Sequence, residues 1–329
     1  MLKNKSFIKF TAFLFLLISP ILCSCLQKEN TVSIMNWNVQ TFFDSVKDGT
    51  EYRDFKQMSS DYSTSSWSVK KYDQRLDRLA YVIKKLDCDV VVLEELEKKE
   101  QLQDIINRLD ATFSIAKRYK HGFFAKSKGS AIGCAIISRL PLSDISVHSL
   151  DCNIDDTEAP KLRPIIKASV INGKKSFVLL VNHWKSKSGG ELTSDFWRKQ
   201  QEAQLSRLIK EASTDKVPVL ACGDFNKNIE EFDCTNESSG SVFLHGAGGC
   251  SVYSPWFTNG ELFSVGSYYY HGSWEYIDNF FLAGDAELYD FKAENSGCWT
   301  DDDGHPYRYS VFNGQGYSDH LPITCKLRI

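Results

Sequence analysis

No run of prolines or glycines divides this 329-residue chain, and no segment repeats. A string of small domains or a solenoid is thereby excluded, and everything after the first two dozen residues reads as one large unit. An excess of positive charge is also missing: 39 basic against 42 acidic residues leave a formal net charge of -3. Such a surface does not attract polyanions wholesale, so a phosphate-bearing ligand must be held by local basic residues or by metal ions. The longest apolar run, Phe10 to Leu22, is too short to span a membrane. Histidine is scarce, with seven residues in all, so each one that follows a strand carries weight.

What is present begins with an export signal. Lys3, Lys5 and Lys9 precede and flank the apolar run, the charged-then-apolar order of a secretory leader. The run enters Leu22, Cys23, Ser24 and Cys25, which resembles the bacterial lipoprotein processing site. That resemblance implies a signal peptide over residues 1–24, lipidation at Cys25 and a short tether over 25–31. The protein is then expected to be a monomer on the cell envelope, at the outer membrane or the periplasmic face, touching the membrane through its lipid anchor only. An ordinary signal with two incidental cysteines is the plainer alternative. Removal of the three lysines takes the formal net charge from -3 to -6. In an oxidising compartment Cys234, Cys250 and Cys298, all in Gly/Asn/Ser-rich sequence, are candidates for bridges. Cys88, Cys134 and Cys222 lie in or beside apolar runs and suit free core thiols.

Strands are expected where short apolar runs end abruptly in polar residues. Val32–Asn38, Val90–Leu93, Ala131–Ile137, Ile165–Ile171, Phe177–Val181, Val217–Cys222, Tyr276–Leu282 and Leu321–Leu327 fit, the seventh interrupted by Asp278. Apolar residues at helical spacing predict helices over Gln74–Leu86, Gln101–Leu109 and Phe196–Ile209. Residues 44–73 read as a long surface loop and 234–274 as loop-rich. Strands 165–171 and 177–181 leave no room for a crossover helix between them, which argues for a mixed sheet.

Polar residues sit at the strand ends: Asn38, Glu95, His183, Asp224, Asn226, Asp278, Asp319 and His320. Each alone has a bland explanation. A His after a strand is usually structural, Asp224-Phe225-Asn226 could cap its own turn, and Glu94 and Glu95 could open the next helix. Together they place carboxylates, amides and imidazoles at the exits of separate strands.

In order, NWNVQTFFD at Asn36–Asp44, LEELE at Leu93–Glu97, VNHWKSK at Val181–Lys187, CGDFN at Cys222–Asn226, YIDNFFL at Tyr276–Leu282 and YSDHLPI at Tyr317–Ile323 resemble the motifs of the endonuclease/exonuclease/phosphatase superfamily, and most of all its secreted bacterial nuclease-like members. The resemblance implies a four-layered α/β sandwich over residues 32–329, with two mixed β-sheets face to face and helices outside. It implies a divalent cation, Mg²⁺ or Mn²⁺, held by Glu95 and Asp319 with Asn38 beside it. Asp224 would orient or deprotonate the attacking water, Asn226 would hold a phosphate oxygen or that water, and His320, backed by Asp278, would contact the scissile phosphate. His183 would serve the leaving oxygen. Arg163 and Lys185 are candidates for binding substrate phosphate, with a surface ion pair and a solvated loop as their plainer roles. Glu94 stands where many members have Gln, and could perturb Glu95 or hold a second cation.

The activity implied is hydrolysis of a phosphodiester, DNA or RNA first, by an endonuclease or exonuclease. A sphingomyelinase-like phospholipase or a phosphomonoesterase is the alternative within the fold, and the first would need an exposed aromatic hairpin, for which Tyr268–Tyr270 is the candidate. A non-catalytic surface lipoprotein is the alternative outside it.

Overall fold

The computed structural model describes residues 30–46, 49–52, 68–150, 160–188, 190–213 and 217–329. The expected signal peptide, Cys25, nearly all of the tether and most of loop 44–73 lie outside them.

The chain opens with strand β1 (Thr31–Phe42), helix α1 (Val69–Leu86), β2 (Val90–Leu96), α2 (Glu100–Asp110), β3 (His121–Ala125), β4 (Gly133–Ser138) and β5 (Leu142–His148). It continues through β6 (Ile165–Asn172), β7 (Lys175–His183), α3 (Glu191–Ser213), β8 (Val219–Asp224), β9 (Asp233–Asn236), β10 (Ser241–Leu244) and β11 (Cys250–Tyr253). Two small hairpins follow, β12 (Phe257–Thr258) with β13 (Glu261–Leu262), and β14 (Tyr268–Tyr270) with β15 (Ser273–Glu275). Last come β16 (Asp278–Ala283), β17 (Glu287–Ala293) and β18 (Ile323–Arg328).

Six strands form one sheet in the order β17-β18-β1-β2-β4-β3, and eight form the other in the order β5-β6-β7-β8-β16-β11-β10-β9. Both are mixed: β1–β2 and β7–β8 run parallel among antiparallel neighbours. Period-two alternation assigns the faces. Val32 and Ile34 of β1, with Val90 and Val92 of β2, enter the core shared with the eight-stranded sheet. Met35, Trp37 and Val39, with Val91 and Leu93, enter a second core with Leu76, Leu79 and Ile83 of α1 and Leu102 and Ile105 of α2. Leu205, Leu208 and Ile209 of α3 join the first core. The result is the expected sandwich of two face-to-face mixed sheets flanked by helices. Among the described residues no helix is long and apolar enough to cross a membrane.

Several boundaries differ from the sequence expectation. Helix α1 begins at Val69, inside the expected loop, because the Ser68 side chain accepts from the Lys71 amide and caps it. Asp278 opens β16 instead of interrupting a strand, and region 234–274 contributes β9, β10 and β11 to the larger sheet. Strands β5 and β17, at sheet edges, went unpredicted because half their side chains face solvent. Each carries a register shift at an Asp of positive φ, Asp144 (48°) and Asp290 (53°), which bends the edge away from further pairing. The bridge candidates Cys234, Cys250 and Cys298 are free, as are all other described cysteines. The thiols of Cys234 and Cys250 turn to the carbonyls of Ile229 (3.5 Å) and Ser206 (3.8 Å).

At the end of β8, Gly223 has a φ of 144°, and a Cβ there would lie 1.9 Å from the Asn182 carbonyl oxygen on β7. Only glycine lets these parallel strands stay in register up to their last pair. Gly223→Ala is expected to destabilise the protein by about 3 kcal/mol or more, read as a drop in urea midpoint. An unchanged midpoint would show that the two backbones are not in this contact.

Candidate active site

The strand exits of both sheets meet at one rim. In the larger sheet, His183 of β7 pairs directly with Asp224 of β8, and Asp224 with Asp278 of β16. Direct cross-strand partners project to the same face, so register alone aligns an imidazole and two carboxylates. The smaller sheet brings Asn38 from β1 and Glu95 from β2, while the segment entering β18, antiparallel to β1, brings Asp319 and His320 to the same end.

Hydrogen bonds lock the set. The Asn38 side-chain amide donates to Asp224 Oδ2 (2.9 Å) across the sheets and to Glu95 Oε1 (3.3 Å) within its own. His320 Nδ1 lies 2.7 Å from Asp278 Oδ2, and its Nε2 faces Asp224 Oδ2 at 3.9 Å. His183 Nε2 lies 3.5 Å from Asp224 Oδ2 and 3.8 Å from Glu95 Oε1. The amide of Asn226 donates to Asp224 Oδ1 (2.8 Å), with Asn226 at a φ of 48°. The turn that caps itself is therefore real, and it also aims a carboxylate. All of these groups but Asp278, which stands behind His320, line a cleft of about 1010 Å³.

Burial and crowding shift the charges. Burial raises the Asp224 carboxyl to about 7; His320 opposes the shift and Asp278 adds to it. Burial and then Asp319 raise Glu95, against the Thr41 amide that donates to it at 2.5 Å. Burial would lower His320, but Asp278, with Asp224 and Asp319, outweighs it and holds the imidazole well above its ordinary range. Burial, reinforced by Arg163 and His320, holds His183 well below it. One imidazole is thus kept charged and the other neutral, which divides their uses between anion stabilisation and neutral hydrogen bonding.

Two sequence candidates turn elsewhere. The Arg163 guanidinium donates to the Trp184 carbonyl, which also accepts from the Asn226 side-chain Nδ2 (3.2 Å), so Arg163 props the site from behind. Lys185 Nζ donates to the carbonyls of Ser186 (2.9 Å) and Ser188 (2.8 Å) and closes its own loop. Neither lines the cleft. Among the described residues its lysine and arginine lining is Lys187, paired with Glu231 and Glu275, and Arg308, 3.5 Å from Asp319. Glu94 faces the space between the sheets. It is fully buried, and neither of its oxygens has a protein partner, nor does the Asn36 amide group two pairs along β1. Glu95 is raised by burial and by Asp319, while burial, Asp278 and Asp224 push Glu94 itself well up.

A residue missed in the sequence is Arg75. It lies in the apolar stripe of α1 and is almost fully buried. Its guanidinium donates to the carbonyls of Val39 (2.9 Å), Gln40 and Thr41 (2.9 Å) and is sandwiched by the Phe42 and Tyr309 rings, 4.7 and 3.7 Å from their centroids. Gln40 and Thr41 have φ of 49° and 43°, and Arg75 satisfies the carbonyls that this left-handed bend frees from the ladder. The bend in turn aims the Thr41 amide at Glu95. The available signal was an arginine on the same helix face as Leu76, Leu79 and Ile83. Arg75→Met, of similar length, is expected to cost about 3 kcal/mol of stability, and Arg75→Lys to recover little because an ammonium lacks the planar fork that reaches the carbonyls while lying between the two rings. Thermal unfolding of both variants provides the check, and full recovery by Lys would show that charge alone matters.

Comparison with known proteins agrees with the fold. Solved structures of similar fold include truncated Caenorhabditis elegans TDP2, with 16% identity and a TM-score of 0.57 over 91% of this chain and 98% of the other. Danio rerio TDP2 complexed with a single-strand DNA product shares 18% identity at a TM-score of 0.55, covering 91% and 99%. A Bacteroides thetaiotaomicron mannosyl-6-phosphatase shares 14% at 0.56, covering 91% and 100%. No functionally curated protein matches the sequence. The model of the Endonuclease/Exonuclease/phosphatase family matches residues 33–328, nearly the whole chain, and the protein belongs to that family.

Proposed function

We propose that this protein is an exported, lipid-anchored, divalent-metal-dependent phosphodiester hydrolase whose substrate is nucleic acid. The observation that carries the reading is the polar set at the rim, in which Asp224 sits between Asn38 and two imidazoles whose proton affinities are shifted in opposite directions. Export and the anchor at Cys25 rest on the leader and the lipoprotein-like Leu22–Cys25.

Glu95 and Asp319 would hold the cation, with Asn38 beside them. The residues fit: Glu95 and Asp319 offer carboxylate oxygens, as Mg²⁺ or Mn²⁺ prefers, and crowd negative charge that a divalent cation relieves, while Asn38, whose side-chain NH2 donates to Glu95, positions that carboxylate. Such an ion supplies Lewis acidity toward a phosphoryl oxygen. Asp224, Asp278 and His320 also approach closely enough to ligate an ion. The 2.7 Å bond between His320 and Asp278 commits those two to each other instead.

Asp224 is raised toward neutrality and therefore suited to take a proton from water in the middle of the pH range. Charged His320 stabilises negative charge developing on the phosphate, and neutral His183 donates a hydrogen bond to the leaving oxygen. Asn226 holds the phosphate or the water, and Arg308, on the cleft wall, takes the phosphate-binding role considered for Arg163 and Lys185.

A phosphomonoesterase is the second reading, favoured by the likeness to a mannosyl-6-phosphatase; the likeness to a DNA-bound TDP2 favours the first. A non-catalytic binder would be expected to lack a member of this set, and none is lacking.

With Mg²⁺ or Mn²⁺, hydrolysis of bis(p-nitrophenyl) phosphate is expected, and Asp224→Ala or His320→Ala should lower kcat by about 100-fold or more. Activity indifferent to chelator, or retained in both variants, would sink the reading. Plasmid DNA, RNA, sphingomyelin and sugar phosphates assayed side by side separate the substrates. Asp278→Asn removes the charge that keeps His320 protonated, so the imidazole loses its proton at lower pH. The alkaline limb of the pH–rate profile should then move toward acid; an unmoved limb would deny His320⁺ a part in the reaction.

A further inference from the structure

The cleft has a second kind of lining that the chemistry above leaves unused. Strand β14 reads Tyr268-Tyr269-Tyr270, and alternation sends the first and third rings to one face and the middle ring to the other. Tyr268 and Tyr270 both line the cleft. Their rings lie nearly parallel, 24° apart with centroids at 5.9 Å, and Tyr268 leans on the His320 imidazole at 4.8 Å. A ladder of flat surfaces therefore runs outward from a group of the active site. Its outer rung, Tyr270, is 47% exposed, with the His271 imidazole tilted against it at 4.0 Å.

The ladder is held rigidly. His271 and Gly272, with φ of 47° and 85°, make a two-residue hairpin turn between paired Tyr270 and Ser273. On the far face Tyr269 stacks on His305 with centroids 3.7 Å apart and planes 15° apart. A bridge between Tyr268 and His320, and the Leu321 amide donating to the Ser267 carbonyl (2.7 Å), tie the hairpin to the entry of β18. Rings held in this way accept a planar ligand with little loss of side-chain freedom.

We propose that Tyr268 and Tyr270 form a stacking subsite for a nucleobase adjoining the scissile phosphate. The inference rests on the phosphodiesterase reading and names what its substrate must carry. A base requires only a flat face and gains about 1–3 kcal/mol from one. A sugar ring would require converging polar groups, and the neighbouring carboxylate, Glu275, is engaged by Lys187. The same geometry disfavours the membrane role considered for Tyr268–Tyr270, because Tyr268 is turned inward against His320.

The test compares thymidylyl-thymidine with the same dinucleotide lacking both bases, using wild type, Tyr270→Ala and Tyr270→Phe, with products followed by chromatography. Wild type should favour the base-bearing substrate by about 10-fold or more in kcat/KM. Tyr270→Ala should lose that preference through KM while cleaving the abasic compound as before, and Tyr270→Phe should keep it. Equal losses on both substrates, or no loss on the first, would overturn the subsite and leave the hydrolase reading standing. If wild type cleaves neither compound, the nucleic-acid phosphodiesterase reading fails, and calorimetric binding of thymidine 3′,5′-bisphosphate judges the subsite separately. Weaker binding by Tyr270→Ala supports it, and equal affinity, or a larger effect on mannose 6-phosphate, overturns it.

Discussion

The hydrogen bond from Asn38 to Asp224 joins the two sheets at the floor of the cleft, and the other parts of the site hang from it. Two stacked sheets touch through apolar side chains, which resist sliding only as well as they interlock. A directional bond between strand ends fixes where one rim stands against the other. Ser318, whose hydroxyl donates to the Asn38 carbonyl (2.6 Å), and Trp37, whose indole donates to the His320 carbonyl (2.9 Å), attach the β18 entry to the same strand. Three elements distant in sequence thus share one anchor.

The polar residues are gathered where folding opposes gathering them. Four carboxylates and two imidazoles stand at or near the end of a buried interface, and hydrogen bonds and opposite charges offset only part of the desolvation. Asn38 and the amides of Thr41 and Asn226 neutralise part of the negative charge, and the charged His320 neutralises more. The remainder gives the cleft a demand for cation that the whole-chain charge does not reveal.

The strand exits were legible because an apolar run that stops at a polar residue marks the sheet rim in one dimension. Asp224 and His183 could be seen in that way, and cross-strand register did the rest. Arg163 and Lys185 were placed at the cleft by their neighbours in the chain, but long flexible side chains go where free carbonyls are, and sequence does not show those. Arg75 was hidden for the converse reason: a cation on a helix is ordinarily solvated, and only the bent end of β1 calls it inward. The strands within 234–274 were obscured because each is only two to four residues long and glycine- and serine-rich turns separate them. The cleft wall around Tyr309 and Arg308 has no regular element to announce it.

The rim also concentrates backbone that ordinary residues avoid: Gln40, Thr41, Glu95 and Asn226 all have φ between 43° and 70°. These bends shape the backbone at Glu95 and Asn226 and just beyond Asn38, and contacts with other elements hold them. Selection for heat resistance would therefore meet a conflict in this molecule. Exchanges that relax these bends raise the melting point and blunt the active site together, whereas β5, β17 and the outer helical faces are free to improve. Tolerance to mutation is thus distributed by geometry along the strands, wide at one end of the sandwich and narrow at the other.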